Sequence, residues 1–356
     1  MKTSYSKSDV VLLLKDLTGQ IQPLEAEERE NRIQSGTHYS DMLPAEHAPS
    51  ERYMQMYDNA MKHFGQMTAD AVASVSEQIW RDKGDGAVLV SLARAGLPIG
   101  ILIKRYIYNK YHVSLPHYGI SIIRGKGIDK AAMEHIIHCH GTAGIQFVDG
   151  WTGKGAIQRQ LTDAMKEYPE VEQSLAVLSD PARVAEYFGT REDFLIPCSM
   201  LNSVVSGLIS RTISNNDLIH SGDYHGAVYY ESLASSDISN QFLDDIEALF
   251  RYDLAVPQRV EHAEFVYSFE RGLDDVYRIM RDFDISDINF VKPSVGETTR
   301  VLLRRIPWKI LVKSKNDYNY LGHIYQLAMD KGIELIEYPE LQCYRACGII
   351  KNLADT

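Results

Sequence analysis

The stretch Ile145-Gln146-Phe147-Val148-Asp149-Gly150-Trp151-Thr152-Gly153-Lys154-Gly155-Ala156-Ile157 sets an apolar run, one acid, a glycine-rich turn and the start of a helical pattern in succession. A buried apolar strand that ends in a turn and opens a helix is the unit from which open parallel sheets are built. In such sheets ligands bind beyond the carboxyl ends of the strands. Converging backbone N–H groups, the positive end of the following helix, the Thr152 hydroxyl and the Lys154 charge together suit a phosphate. The turn lacks the glycine spacing of a Walker loop and the three glycines of a dinucleotide fingerprint.

Outward from this stretch, AVLVSL (87 to 92), YGISII (118 to 123) and LAVLSD (175 to 180) repeat the pattern of an apolar run followed by a turn and a segment that can be helical. Four such runs predict an α/β fold with a parallel sheet, flanking helices and right-handed crossovers. Apolar residues at helical spacing from Pro49 to Lys83 predict one long helix or two short ones, stopped by the turn Lys83-Gly84-Asp85-Gly86. The N-terminal MKTSYSKSDVVLLLKDLTG has charges close to its short apolar stretch, so it is expected to be an ordinary helix rather than a signal peptide. Past Ala185 a Ser-rich stretch, LIPCSMLNSVVSGLISRTIS, is expected to be helical. A loop-rich segment, a helix ending near Phe250 and a linker with a strand (DLAVPQRVEHAEF) follow. From about Glu270 helices and strands alternate again as a compact second unit. The expected domains are 1–255 and 256–356.

The chain of 356 residues is large enough for two cores, and its 45% hydrophobic and 24% charged residues are those of an ordinary globular protein. A formal net charge of −11 argues against whole-surface affinity for nucleic acid or anionic membrane, while leaving room for a local basic patch. No run approaches the roughly 20 apolar residues of a membrane span, and a cytoplasmic location is expected. Cys139, Cys198, Cys343 and Cys347 form neither a disulfide framework nor the paired knuckles of a zinc site. The histidines of EHIIHCHG (His135, His138, His140) are expected in a polar loop.

The strand-acid-turn-helix stretch resembles the phosphate loop of type I phosphoribosyltransferases. Two further loops fall in the order of that family: Ala93-Arg94-Ala95-Gly96 after the first strand and Arg124-Gly125-Lys126 after the second. Asp180 ends the fourth strand. More narrowly, GTHYSDMLP (36 to 44), HYGISIIRGKGID (117 to 129), FVDGWTGKGAI (147 to 157), LIPCSMLNSVVSGLISRT (195 to 212) and DYHGAVYY (223 to 230) together resemble the StiP family. That group is phosphoribosyltransferase-like, is found with tellurite-resistance and stress genes, and also carries a cysteine-protease label. The C-terminal segments around Val295 to Arg300, Leu303 to Trp308 and Tyr344 to Ala346 resemble a Pelota-type RNA-binding domain.

The resemblance implies a type I phosphoribosyltransferase-like sheet with a small Pelota-like α/β domain, and an enzyme using a phosphoribosyl pyrophosphate donor with Mg²⁺ to form a nucleotide-like product. Asp149 would hold the ribose hydroxyls, through Mg²⁺ carried by the donor, with Arg94, Arg124 and Lys126 completing the catalytic set. Gly150, Trp151, Thr152, Gly153, Lys154 and Gly155 would bind the 5′-phosphate, and Ala93, Ala95 and Gly96 the diphosphate. Relatives carry a second acid where Gly150 stands here. His38, Tyr39, Asp180, Asp223 and His225 are candidates for the acceptor pocket. Arg300, Arg304, Arg305, Trp308 and Lys309 are candidates for RNA contact. The alternatives are a cysteine peptidase using Cys198 and a non-catalytic, RNA-tethered nucleotide sensor. No metal bound directly by side chains is expected.

Overall fold

The computed structural model describes residues 1–254 and 262–351. Its main sheet contains six parallel strands: β1 (Val11–Leu12), β2 (Val88–Ala93), β3 (His117–Ile123), β4 (Ile145–Val148), β5 (Leu175–Ser179) and β6 (Tyr187–Thr190). They lie in the order β1-β3-β2-β4-β5-β6, and Gly127–Ile128 adds a short antiparallel extension to β3. The chain is therefore a mixed α/β protein with a parallel central sheet. Strands β2, β4 and β5 are buried along almost their whole length. This explains why they read as continuous apolar runs rather than as alternation.

Four helices cover this sheet: α2 (Glu51–Lys83), α3 (Gly96–Tyr111), α4 (Lys130–His140) and α5 (Ala156–Met165); α1 (Ala26–Gln34) and α6 (Ser239–Glu247) lie elsewhere in the chain order. Helix α2 is a single element. Ser50 caps its N-terminus by accepting from the Tyr53 amide, and Gly84, at φ 56°, stops it. Its buried stripe includes Tyr57, Phe64, Val72 and Ile79. Gly96 has a specific task where α3 meets the end of β4, because a Cβ there would lie 2.3 Å from the Val148 carbonyl oxygen. Gly96→Ala should therefore displace α3 and cost about 3 kcal/mol, read as a shifted urea midpoint with unchanged m-value; wild-type stability in that variant would contradict the packing argument.

The C-terminal unit follows helix α7 (His262–Asp282). It contains β7 (Val291–Pro293), α8 (Val295–Arg304), β8 (Pro307–Val312), α9 (Tyr318–Asp330), β9 (Leu335–Glu337) and β10 (Ala346–Ile350). Its four strands lie in the order β7-β10-β8-β9, with only β8 and β9 parallel. The two units share apolar packing: one buried cluster includes Tyr57, Phe64 and Met200 together with Val301, Ile310 and Ile324. Asp193 fastens the units by accepting the amides of Val295 and Arg345, both at 2.8 Å. Tyr344 Oη donates to the Gly153 carbonyl at 2.9 Å.

Three sequence expectations are corrected here. Residues 11 and 12 form the edge strand β1 rather than a helix, because Val10, Leu13 and Leu14 bury themselves by pairing this segment beside β3. LIPCSMLNSVVSG is not a helix but two single 3₁₀ turns, Pro197–Met200 and Ser203–Val205. His135, His138 and His140 sit on helix α4, not in a loop. Asp129 caps that helix by accepting the Ala132 amide at 3.0 Å. Most of the expected linker strand DLAVPQRVEHAEF lies outside the described residues.

Candidate functional site

Beyond the carboxyl ends of β2 and β4, between the two units, lies a cavity of about 620 Å³, within the range that encloses small-molecule ligands. Asp149, Trp151, Thr152, Gly153, Lys154 and Gly155 line it from the opening stretch, and Ala93, Arg94 and Ala95 from the turn after β2. Gly150 and Gly96 are not part of its wall. Arg124 and Tyr39 close one side, and Lys292, Glu297, Arg300, Arg304 and Arg305 arrive from the C-terminal unit. The sequence-predicted loops thus converge, together with a wall from a unit expected to face RNA.

Hydrogen bonding shows what each group is occupied with. Burial raises the Asp149 carboxyl to about 7, despite the Gly150 amide at 2.8 Å and the nearby Arg300. Lys154 is pinned: its Nζ donates to the carbonyls of Ile288 and Val291 in the C-terminal unit. Burial, Lys292 and Arg124 bring its pKa down to about 7. Arg94 donates to Glu46 at 2.7 Å, to Asn202 at 2.6 Å and to the Ile209 carbonyl at 3.0 Å. Although burial opposes it, Arg94 and Ser203 hold the Glu46 carboxyl below its ordinary range. Arg300 stacks over Trp151 at 4.6 Å.

Other predicted residues are used elsewhere. Asp180 is fully buried and accepts from Thr152 Oγ1 at 2.6 Å, from the amides of Val184 and Ala185 at 3.0 Å, and from Arg191. It organises the turn after β5 and does not line the cavity. Lys126 pairs with Asp41 at 2.5 Å and Asp223 with Lys15 at 2.6 Å, both away from the cavity wall. His225 packs by β3, its ring 2.9 Å from Ser121 Oγ and its amide 2.5 Å from Asp129. His38 contacts the Arg124 carbonyl at 3.0 Å, and Tyr39 Oη accepts the Arg124 amide at 2.9 Å. Of the five acceptor-pocket candidates only Tyr39 lines the cavity.

The basic C-terminal candidates also divide. Arg300, Arg304 and Arg305 face inward: Arg304 donates to the Met200 carbonyl at 2.6 Å, and Arg305 pairs with Glu30 at 3.0 Å. A run of charges in sequence does not say which face it covers, and here the face is internal. Trp308 is 41% exposed and so remains on the outside, with the half-buried Lys309 Nζ 5.2 Å from its ring centre and paired with Glu334 at 2.6 Å. Among the described residues no three His, Cys, Asp or Glu side chains converge as a metal cage, and Asp149 stands without a second acid from the adjacent position. Among the described residues no helix is long and apolar enough to cross a membrane.

The four thiols stand in different surroundings. Burial pushes Cys198 and Cys347 up to about 12 and raises Cys343 as well. Cys139 is the exposed one. On helix α4 its Sγ lies 3.8 Å from His135 Nε2, and His135 Nδ1 lies 3.3 Å from Tyr224 Oη. His140 is held in turn by Tyr118 Oη at 2.8 Å. Among the described residues no imidazole is hydrogen-bonded to Cys198. The His135–Cys139 pair was missed in the sequence because its segment was read as a loop. As a helix, His-x-x-x-Cys puts both side chains on one face.

A family profile described as "Tellurite-like stress resistance cysteine protease StiP" matches residues 3–247. The chain belongs to the StiP family. A curated relative of this StiP-family chain, "Cysteine protease StiP" of Acinetobacter baylyi (strain ATCC 33305 / BD413 / ADP1), is 35% identical over 366 residues, covering 98% of this chain and 94% of the relative. Residues 270–352 match a profile for a Pelota RNA-binding domain. A solved hypoxanthine-guanine phosphoribosyltransferase from Bacillus anthracis str. 'Ames Ancestor' covers 35% of this StiP-family chain and 75% of its own length at 19% identity, with a TM-score of 0.26. A second structure of that enzyme, with HEPES in its active site, gives 18% identity, 35% and 76% coverage and the same TM-score. At that score the likeness carries no argument.

These findings correct the expected activity of the StiP-family chain. The matching profile and the relative both carry a cysteine-protease name, so the phosphoribosyltransferase expectation is overturned. The occupied Lys154 and the missing second acid at Gly150 fit that correction.

Proposed function

We propose that this chain is a cysteine peptidase in which Cys139 is the nucleophile and His135 its base. The observation that carries the reading is the 3.8 Å approach of Cys139 Sγ to His135 Nε2 on an exposed helix face. The names of the family profile and of the Acinetobacter relative supply the reaction class. Nucleophile, base and a third group orienting the base form the arrangement that thiol hydrolysis requires. In the tautomer whose Nδ1–H donates to Tyr224 Oη, 3.3 Å away, Nε2 accepts the thiol proton. His135 removes the thiol proton as sulfur attacks the peptide carbonyl carbon. The amine leaves with that proton, and water hydrolyses the thioester to restore the thiol.

Limited alkylation of the full chain with iodoacetamide, followed by peptide mass mapping and an assay on an unfolded protein substrate, tests this directly. Cys139 should be modified first and cleavage should fall in proportion. Undiminished cleavage by fully alkylated Cys139 would defeat the assignment. The absence of any disulfide among the four cysteines supports a cytoplasmic setting for this chemistry.

A second reading concerns the C-terminal unit, and rests on the Pelota profile match and on the exposed Trp308, beside a half-buried Lys309 that pairs with Glu334 at 2.6 Å. We propose RNA contact through this outer face. Filter binding of a structured RNA should weaken steeply between low and moderate salt, and Trp308→Ala should lower affinity by about tenfold or more. A signal indifferent to salt would count against phosphate contact.

A further inference from the structure

We propose that Asp129 is a positioning residue for the Cys139–His135 pair: its one carboxylate holds both the helix that carries the pair and the segment that brings Tyr224 to the His135 ring. The inference rests on the peptidase reading and deepens it. Asp129 is 1% exposed and stands where the short extension of β3 passes into α4. Its Oδ1 accepts the Ala132 amide at 3.0 Å and its Oδ2 the His225 amide at 2.5 Å. The second oxygen thus reaches a residue 96 positions further along the chain.

A helix cap by itself asks for less. Ser or Asn accepts a first-turn amide about as well as Asp does, so capping accounts for one oxygen and leaves the other. That other oxygen holds the residue next to Tyr224, whose Oη lies 3.3 Å from His135 Nδ1. Cys139 Sγ lies 3.8 Å from Nε2 of the same ring. A continuous chain of contacts therefore runs from Asp129 through the His225 backbone and Tyr224 to the base.

The surroundings tie the same two segments together. Ser121 of β3 serves both: its carbonyl accepts the Asp129 amide at 2.9 Å, and its Oγ lies 2.9 Å from His225 Nδ1. Beyond Tyr224, Gly226 and Ala227 pair in parallel with Lys15 and Asp16, so the segment is fixed on its far side as well. Helix α4 has a second anchor in the buried Ala132, Met133 and Ile136. Tyr224 is only half-buried. Removing the second oxygen strands the partly buried His225 amide, which then moves to find another acceptor. The displacement falls on Tyr224 more than on the helix, and small misplacements of a catalytic group are costly in rate.

The test separates the two oxygens in the full chain. Asp129→Ser and Asp129→Asn each keep a cap for α4 while withdrawing the acceptor from His225, and the second serves if the first does not fold. Cleavage of an unfolded protein substrate is resolved into kcat and KM, and nitrogen NMR of histidine-labelled protein reads the His135 tautomer, its signals identified by their loss in His135→Gln. In a folded variant kcat should fall about tenfold with KM little changed, and His135 should shift from the Nδ1–H toward the Nε2–H form. Added to Tyr224→Phe, either substitution should lower kcat no further, because both act through one contact. Wild-type kcat in a folded Asp129→Ser chain, or losses that multiply with Tyr224→Phe, would overturn the proposal. If the wild type cleaves nothing, the peptidase reading fails by itself. The tautomer then decides the positioning: a shift in the Asp129 variants upholds it, and an unchanged tautomer overturns it.

Discussion

Cys139→Ala should abolish peptide-bond cleavage, by about a thousandfold or more, with the melting temperature of the chain unchanged. Removing the nucleophile of a covalent mechanism leaves only what substrate positioning contributes. Cys139 is exposed, so its truncation empties no core. His135→Gln should lose about a hundredfold or more, because the thiol proton then has no acceptor. Tyr224→Phe acts through His135 and should cost far less, since it removes only the contact that orients the ring. Cys198→Ala is the control. Its side chain is buried beside the turn that Arg304 holds through the Ser199 and Met200 carbonyls, so a modest loss of stability with activity intact is expected. A fully folded Cys198→Ala protein without activity, beside an active Cys139→Ala protein, would move the nucleophile to the buried turn.

Asp193→Ala should destabilise the chain by about 2–4 kcal/mol, since it strands two backbone amide donors together, one buried and one half-buried. Those donors belong to Val295 and Arg345, so the loss falls on the junction of the two units. Asp193→Asn retains an acceptor and should cost less, to a degree that depends on pH. Burial raises the Asp193 carboxyl to about 7, against the pull of the Arg345 and Val295 amides, compared with 3.8 for an ordinary aspartate. Between those values the folded chain binds the proton and the unfolded chain does not. The stability this group contributes is therefore complete below about 4 and falls as pH rises toward about 7. Denaturation of wild type and Asp193→Asn at pH 4.5 and 7.5 should show the gap narrowing at the higher pH. A gap that widens would mean the amides hold an ionised carboxylate instead.

The parallel strands were legible because burial on both faces writes an unbroken apolar run. AVLVSL and LAVLSD differ from β2 and β5 by a single residue at their ends. The capped helix α2 was legible for the same kind of local reason. What escaped was decided at a distance. Val11 and Leu12 are strand because a neighbour offers an edge, and no local preference announces that. The turn around Cys198 is held by Arg304, more than a hundred residues away. Arg300, Arg304 and Arg305 read as a surface patch because sequence shows the density of charge but not the direction in which a helix presents it. The loops of the cavity could be found one by one, whereas its second wall needed the structure.

Asp193 and Tyr344 bind the C-terminal unit into the body of the protein, and the apolar cluster continues from one to the other. The consequence is for how the chain comes apart. A chain shortened to the first unit would present Met200 and Trp151 to water and leave Glu30 without Arg305, so the two units should melt in one transition rather than two.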